Sequence, residues 1–135
     1  MKKMIYQPTA KIEVLATGYC FGLLYYIFNL GTHPTAYIKI PKNHKYYEKE
    51  YDDIDICVHG GITYSRDYLY LNEKDKIEGW FIGWDYAHCY DFMGYYNPKD
   101  NGLYNLKKWT TEEIYKEVRE ACYQIQKIGG EKIDA

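Results

Sequence analysis

The chain has 135 residues and a mass of 16.1 kDa, and its formal net charge of −2 at pH 7 goes with a sequence pI near 6.1. A chain of this length can bury a sizeable core within one domain, and the acidic balance argues against a general binder of duplex nucleic acid, which normally has a basic surface. The longest apolar run, residues 20–28, is too short to span a bilayer, so we expect no membrane partner.

The amino-terminal part predicts an arm and then strands. Residues 1–10 have no clear hydrophobic period, which indicates an arm and does not resemble a secretion signal, so we expect a cytoplasmic protein. Alternating apolar residues at 11–15 and 36–40 predict two strands. Between them, residues 20–30 are apolar on both faces, which predicts one central strand that is buried on both sides and ends at the turn sequence 31–34.

The middle of the chain predicts three further strands. Residues 54–58 and 80–84 place large apolar side chains at alternate positions, and residues 62–71 are expected to form another strand. The polar segment 42–53 is rich in tyrosine and lysine and is expected to be an exposed loop or a short helical turn, with a flap that gates a ligand as the alternative. Residues 95–106 carry turn signals and predict a loop.

The carboxyl-terminal helix has the strongest local signals. Thr110 begins a capping box, and Trp109 and Ile114 have the spacing of a hydrophobic staple. Five apolar residues then share one helical face: Ile114, Val118, Ala121, Cys122 and Ile125. We expect a helix over 110–128, ended by the glycine pair 129–130. The predicted fold is therefore a single α+β domain over 1–135, a mainly antiparallel twisted sheet with this helix packed on one face.

The four cysteines have no paired spacing. Cys20, Cys57, Cys89 and Cys122 are isolated from one another, and each has apolar or aromatic neighbours. This pattern is typical of buried free thiols in a reducing cytoplasm.

Polar residues follow two of the predicted strands. His59 comes directly after the 54–58 strand and Asp85 after the 80–84 strand, and we expect both on the face of the sheet away from the core. Asp85, His88 and Asp91 follow at intervals of three, which in a tight turn would place them on one side. The sequence therefore predicts a pocket at which His59, Asp85 and His88 converge.

The residues around these positions indicate a ligand that is planar and phosphorylated. Most of the 18 tyrosines are expected to fill strands, but some can stack on a base. Gly60 and Gly61 could present N–H groups to a phosphate as a small anion nest. The candidate binding residues are His59, Gly60, Gly61, Thr63, Tyr64, Trp84, Asp85, Tyr86, His88 and Asp91.

The same imidazole and carboxylate groups also suit catalysis. His59 and His88 would exchange protons while Asp85 or Asp91 orients one of them. A two-histidine phosphoesterase would need a hydroxyl residue two positions after His59, where this chain has glycine. The spacing matches no strong metal signature, and we expect neither a metal nor a cofactor.

Four motifs together resemble a family of small proteins from phages and prophages of low-GC Gram-positive bacteria. They are GTHPTAY at 31–37, YDDI at 51–54, HGGITY at 59–64 and GWDYAH at 83–88, and the likeness covers most of residues 20–127. The resemblance implies a viral origin. By analogy, small accessory phage proteins often counter host defences, and some bind or cleave nucleotide immune signals such as cyclic oligonucleotides and cyclic ADP-ribose species.

Three hypotheses follow from the sequence. In the first, a phage anti-defence protein sequesters a nucleotide signal in the cytoplasm of the infected host, with the base stacked on tyrosines and Trp84, and phosphates held by His59, the glycine amides and Lys45. In the second, the protein is a phosphodiesterase-like hydrolase of the same ligand class. In the third, it is a structural or host-protein-binding phage protein without a small-molecule site. A homo-oligomer stays open in all three.

Overall fold

A five-stranded antiparallel sheet carries one long helix on a single face, as predicted for the α+β class. The computed structural model describes residues 12–94, 96–98 and 106–129. The strand order is β1-β2-β3-β5-β4, and the elements are β1 Glu13–Cys20, β2 Leu23–Asn29, β3 Pro34–Ile40, a 3₁₀ turn at Tyr51–Asp53, β4 Tyr64–Tyr70, β5 Lys76–Asp85 and α1 Thr111–Ile128. The arm expected at 1–10 and much of the loop expected at 95–106 lie outside the described residues.

A hairpin turn divides the apolar run that predicted one strand over 20–30, so that prediction is wrong. Phe21 (φ +50°) and Gly22 (φ +79°) connect β1 to β2, and positive φ at both central residues is the signature of a type I′ turn. An aromatic residue is unusual at positive φ, so the sequence contains no ordinary turn signal there. The strand at the centre of the sheet is β3 rather than β2.

The helix packs on the sheet through the predicted face. All five of its predicted apolar residues are buried, and they form one core cluster with sheet residues such as Ile27, Ile38 and Ile82. Both hydrogen bonds of the capping box between Thr110 and Glu113 are present. The cap, which satisfies N–H groups at the helix start, and the buried stripe therefore act together to fix this element.

Within the described ranges, no helix combines the length and apolarity that crossing a membrane requires.

Residues 54–58 are not the strand that their alternation predicted. Ile54 and Ile56 are buried as expected, but the segment pairs with no strand. Instead, the N–H of Cys57 donates to Oε1 of Gln124 on α1 (2.8 Å), and its carbonyl accepts from Nε2 of the same side chain (3.2 Å). A helix side chain thus replaces the neighbouring strand, which draws this segment to the helix side of the sheet.

The polar segment 42–53 is a loop with two buried anchors. Nε2 of His44 donates to the carbonyl of Ile125 (2.7 Å), and its Nδ1 accepts from the N–H of Tyr46 (2.9 Å). Both side chains are buried, while Lys45 between them is exposed. The loop is therefore fixed near the carboxyl-terminal end of α1.

The cysteines are all free, but they are not all buried. Cys20 and Cys122 lie in the core, whereas Cys57 and Cys89 are exposed, so the burial prediction is wrong for two of the four. Both exposed thiols belong to segments outside the sheet, where apolar sequence neighbours do not enforce burial. Burial raises the pKa of the Cys122 thiol, which therefore stays protonated.

Candidate functional site

Two loops meet at one end of the sheet and bring several of the predicted residues together. One loop carries His59 and the other, directly after β5, carries His88. The two imidazole rings lie 5.4 Å apart between centroids, at 74° to each other. Nε2 of His88 also lies 3.1 Å from Oδ1 of Asp85, without the geometry of a hydrogen bond. His88 therefore contacts both residues with which it was expected to converge.

His59 forms a close pair with Asp91. Its Nε2 lies 2.7 Å from Oδ2 of the carboxylate, and its ring is stacked on Tyr86 at 4.9 Å and an interplanar angle of 6°. Trp109 packs against the same ring at 4.9 Å and 53°. The side chain of His59 is 25% exposed, so aromatic neighbours position the ring while one part of it reaches solvent.

Asp91 is the buried centre of this arrangement. Its side chain is only 3% exposed, yet it accepts three hydrogen bonds: from Nε2 of His59, from the backbone N–H of His88 (3.0 Å) and from Nε1 of Trp109 (3.1 Å). Three donors compensate for the cost of burying a carboxylate. Because Asp91 takes the hydrogen on Nε2, a neutral His59 ring keeps Nδ1 as its acceptor.

A second set of hydrogen bonds ties the site to the helix. Nε1 of Trp84 donates to the hydroxyl of Tyr86 (2.9 Å), and that hydroxyl donates to Oε1 of Glu117 on α1. Oε2 of Glu117 accepts from the backbone N–H of His59 (2.8 Å). Burial, together with Glu117, raises the pKa of Tyr86. Trp84 and Tyr86, both predicted to touch a ligand, have their rings in the core, where they support the site.

The expectation that His59 and Asp85 share one face of the sheet is wrong. Asp85 alternates with the helix-facing residues of β5 and therefore lies on the opposite face. His59 lies on the helix side, where Glu117 holds its backbone. The segment before His59 is not a strand of the sheet, so the alternation of its apolar residues does not indicate on which face of the sheet His59 lies. His88 lies between the two residues and is their shared neighbour.

The glycine pair has two different structural roles. Gly60 (φ +71°) passes so close to His88 that an added Cβ would lie 2.1 Å from Nε2 of that ring. Gly61 (φ +85°) has open space at the same position, and its N–H donates to the carbonyl of Val58 (2.9 Å). The expected anion nest therefore lacks one of its two N–H groups in this conformation.

An open pocket of about 270 Å³ lies on the Asp85 side of this end of the sheet. We call it the Asp85 pocket, and it is lined by Leu30, His33, Thr35, Tyr37, Thr63, Tyr64, Trp84 and Asp85. Four predicted binding residues border it, namely Thr63, Tyr64, Trp84 and Asp85. The other six lie outside its lining: His59, Gly60, Gly61, Tyr86, His88 and Asp91.

Two polar side chains in the Asp85 pocket keep unused hydrogen-bonding capacity. The hydroxyl of Thr35 is buried and has no hydrogen-bond partner in the part of the chain that the structure describes. Asp85 receives the N–H of Ala87 on Oδ1 (3.1 Å), whereas Oδ2 has only a long contact of 3.4 Å with the hydroxyl of Thr63. Thr35 and Asp85 are direct neighbours across β3 and β5, so both side chains lie on the same face of the sheet, with the Thr35 hydroxyl covered beneath the surface of the pocket.

The sequence interpretation missed His33, Thr35 and Tyr37 as pocket residues. All three belong to the GTHPTAY motif at 31–37. The available signal was the alternation along β3, which places Thr35 and Tyr37 on the face opposite Ala36. Their pairing with the end of β5 depends on the register of the sheet, which the sequence alone does not provide.

Lys45, a predicted phosphate contact, is not part of this site. Its neighbour His44 is anchored at Ile125, eight residues after the Glu117 that holds His59. At 1.5 Å per residue these anchors are about 12 Å apart along the helix. The loop thus holds Lys45 towards the other end of α1.

Acidification is expected to weaken the fold through His33. Burial lowers the pKa of His33 from its ordinary 6.5, against the opposing effect of Asp85. His33 therefore binds a proton more readily in the unfolded chain than in the folded protein. The stability that is present above pH 6.5 is lost as the pH falls from 6.5 towards the lower pKa that His33 has in the folded protein. Urea denaturation at about pH 7.5 and about pH 5.5 should show a drop in the free energy of unfolding that is smaller in His33→Gln. An equal drop in the two proteins would contradict this.

Comparison of the chain with protein-family models, with curated proteins and with solved structures finds no match. In the described ranges, no three or more histidine, cysteine, aspartate or glutamate side chains are arranged to hold a metal ion.

Proposed function

We propose that the protein is a phage anti-defence protein that binds and sequesters a nucleotide immune signal in the cytoplasm of the infected host. The observation that carries this proposal is the unpartnered Thr35 hydroxyl in the Asp85 pocket. Leaving a buried hydroxyl unpaired costs about 1–3 kcal/mol, and a ligand that hydrogen-bonds to it removes that cost. The resemblance of the four motifs to phage proteins supports the biological setting.

The size and walls of the Asp85 pocket support a ligand of nucleoside dimensions. Small-molecule sites usually enclose roughly 300–1,000 Å³. The volume of the Asp85 pocket, about 270 Å³, lies just below that range, so the pocket suits one nucleoside unit of a larger signal. Tyr37 and Tyr64 form an edge-to-face pair with centroids 5.2 Å apart, which gives the pocket an aromatic wall. Aromatic side chains can stack on a planar group such as a base.

The charge of the Asp85 pocket supports a position for the phosphates outside it. Among the described residues that line it, none is lysine or arginine, and Asp85 supplies a carboxylate. Two like charges about 4 Å apart repel by roughly 4 kcal/mol at an effective dielectric constant near 20. The phosphates of a cyclic oligonucleotide or a cyclic ADP-ribose species therefore lie at the mouth of the pocket, towards solvent.

The pair of His59 and Asp91 favours a second candidate function, hydrolysis of the same nucleotide. A carboxylate that fixes the tautomer of a histidine is a common arrangement for a general base, and the 2.7 Å contact has that geometry. In this candidate His59 and His88 would exchange protons, with Asp91 orienting His59 and Asp85 beside His88. The third possibility is a phage protein that binds a host protein or has a structural role, without any nucleotide site.

One retention experiment separates the three. The protein is incubated with a panel of cyclic dinucleotides, cyclic trinucleotides and cyclic ADP-ribose, desalted and heated, and the released material is analysed by mass spectrometry. We expect one nucleotide to be released intact. Release of a cleaved product, abolished in Asp91→Asn, would instead identify the hydrolase. Retention of no nucleotide, with every nucleotide of the panel recovered intact in the desalting flow-through, would contradict both candidates.

A further inference from the structure

We infer that the Asp85 pocket recognises the vicinal hydroxyls of a ribose rather than the base or the phosphate of the nucleotide. This inference rests on the proposed function and narrows it to the cyclic ADP-ribose class, because each ribose of a cyclic oligonucleotide uses its 2′ or 3′ oxygen in a phosphodiester and has no free vicinal pair of hydroxyls. The four sequence motifs alone do not predict recognition of ribose hydroxyls. It follows from the geometry of Asp85 and from the hydroxyl groups that surround it.

The carboxylate of Asp85 has more free hydrogen-bonding capacity at Oδ2 than at Oδ1. Oδ1 already accepts the N–H of Ala87 at 3.1 Å and lies 3.1 Å from Nε2 of His88. Oδ2 has only the 3.4 Å contact with Thr63. A guanine edge presents two adjacent N–H groups that match both oxygens of a carboxylate, whereas a sugar hydroxyl needs only one. The free capacity of Oδ2 therefore favours a hydroxyl donor.

The groups beside Asp85 complement a second hydroxyl. Thr35 lies directly opposite Asp85 in the register of β3 and β5, and paired residues on one face have Cβ atoms about 4.5–5.5 Å apart. A threonine hydroxyl both donates and accepts, so it can bond a neighbouring sugar hydroxyl in either direction. A ligand that reaches past the surface of the pocket to the covered Thr35 hydroxyl thus meets one hydroxyl and one carboxylate oxygen for its two adjacent hydroxyls.

The Asp85 pocket also disfavours a phosphate in place of a hydroxyl. Of its described lining residues, only His33 can become cationic, and burial lowers the pKa of that side chain. A ribose phosphorylated at the 2′ position would place its charge against Asp85 without a compensating cation. The pocket should therefore separate a free ribose from both its deoxy and its phosphorylated forms.

Calorimetric titration with three probes tests this inference: adenosine, 2′-deoxyadenosine and adenosine 2′-monophosphate. The wild-type protein should bind adenosine at least about tenfold more tightly than the other two probes. The deoxynucleoside lacks a hydroxyl that can bond to the charged carboxylate, and the 2′-phosphate is repelled by it. Asp85→Asn should abolish the preference. Thr35→Val should weaken adenosine binding about threefold to tenfold without lowering the melting temperature, because its hydroxyl has no partner to lose. Thr17→Val on β1, outside the pocket, is the matched control and should bind as the wild type does.

The outcomes separate this inference from the proposed function. Equal binding of adenosine and 2′-deoxyadenosine, or tighter binding of the monophosphate, overturns the inference alone. So does failure to bind adenosine by a protein that retains a cyclic nucleotide. Retention of no nucleotide and no binding of adenosine overturns both. If Asp85→Asn fails to fold, the comparison of the three probes on the wild type and on Thr35→Val decides.

Discussion

Val118→Asp is expected to lower the free energy of unfolding by several kcal/mol. Val118 is fully buried on the face of α1 that packs against the sheet. A carboxylate placed there has to lose its hydration or accept a proton at a cost of several kcal/mol. Domains of this size are stable by about 5–15 kcal/mol in total, so the loss is a large share of that. Circular dichroism during thermal and urea denaturation measures it.

Lys116→Asp is the matched control for this prediction. Lys116 is exposed and lies two residues earlier on the same helix, so the substitution introduces the same carboxylate without burial. Exposed substitutions usually change stability by less than about 0.5 kcal/mol, and the larger charge change here should still shift the melting temperature by only a few degrees. If Val118→Asp melted as Lys116→Asp does, α1 would not pack on the sheet.

The helix was predictable because all its signals are local. The cap at Thr110, the aromatic residue before it and the apolar stripe lie within one continuous stretch. Each depends only on the 3.6-residue period and on the unpaired N–H groups at the start of a helix. No contact with a distant part of the chain was needed to place it.

The errors in the sheet come from contacts that are distant in sequence or from an unusual turn. Residues 54–58 have strand-like alternation, but their hydrogen-bond partner is the side chain of Gln124 rather than another strand. The turn at Phe21 and Gly22 has an aromatic residue where asparagine or glycine is usual. Neither feature can be read from hydrophobic period alone.

In the candidate site, too, the local arrangement was predictable from the sequence and the contacts between distant segments were not. The spacing of Asp85, His88 and Asp91 placed His88 beside both carboxylates, and a hydrogen bond from its backbone N–H to Asp91 holds it there. The position of His59 opposite Asp91 was not predictable, because it depends on where the helix holds its loop. Thr35 was missed for a similar reason, since only the register of β3 and β5 brings it to Asp85.

Gly60→Ala is expected to displace His88, whereas Gly61→Ala is not. Both glycines have positive φ, at +71° and +85°, so an alanine at either position introduces a comparable backbone strain of roughly 1 kcal/mol. Only at Gly60 would the new Cβ lie 2.1 Å from Nε2 of His88, while at Gly61 it would meet open space. The two variants therefore separate backbone strain from the contact with the imidazole.

The expected difference is large enough to measure. Relieving the overlap in Gly60→Ala moves the ring of His88 away from His59 and Asp85. Gly60→Ala should thus lose the contacts of this ring in addition to the strain, and more unfolding free energy in urea than the roughly 1 kcal/mol expected for Gly61→Ala. Nuclear magnetic resonance of the imidazole protons should show shifted His59 and His88 signals in the first variant only. Equal losses in the two variants, with unchanged imidazole signals, would show that Gly60 does not hold His88 in place.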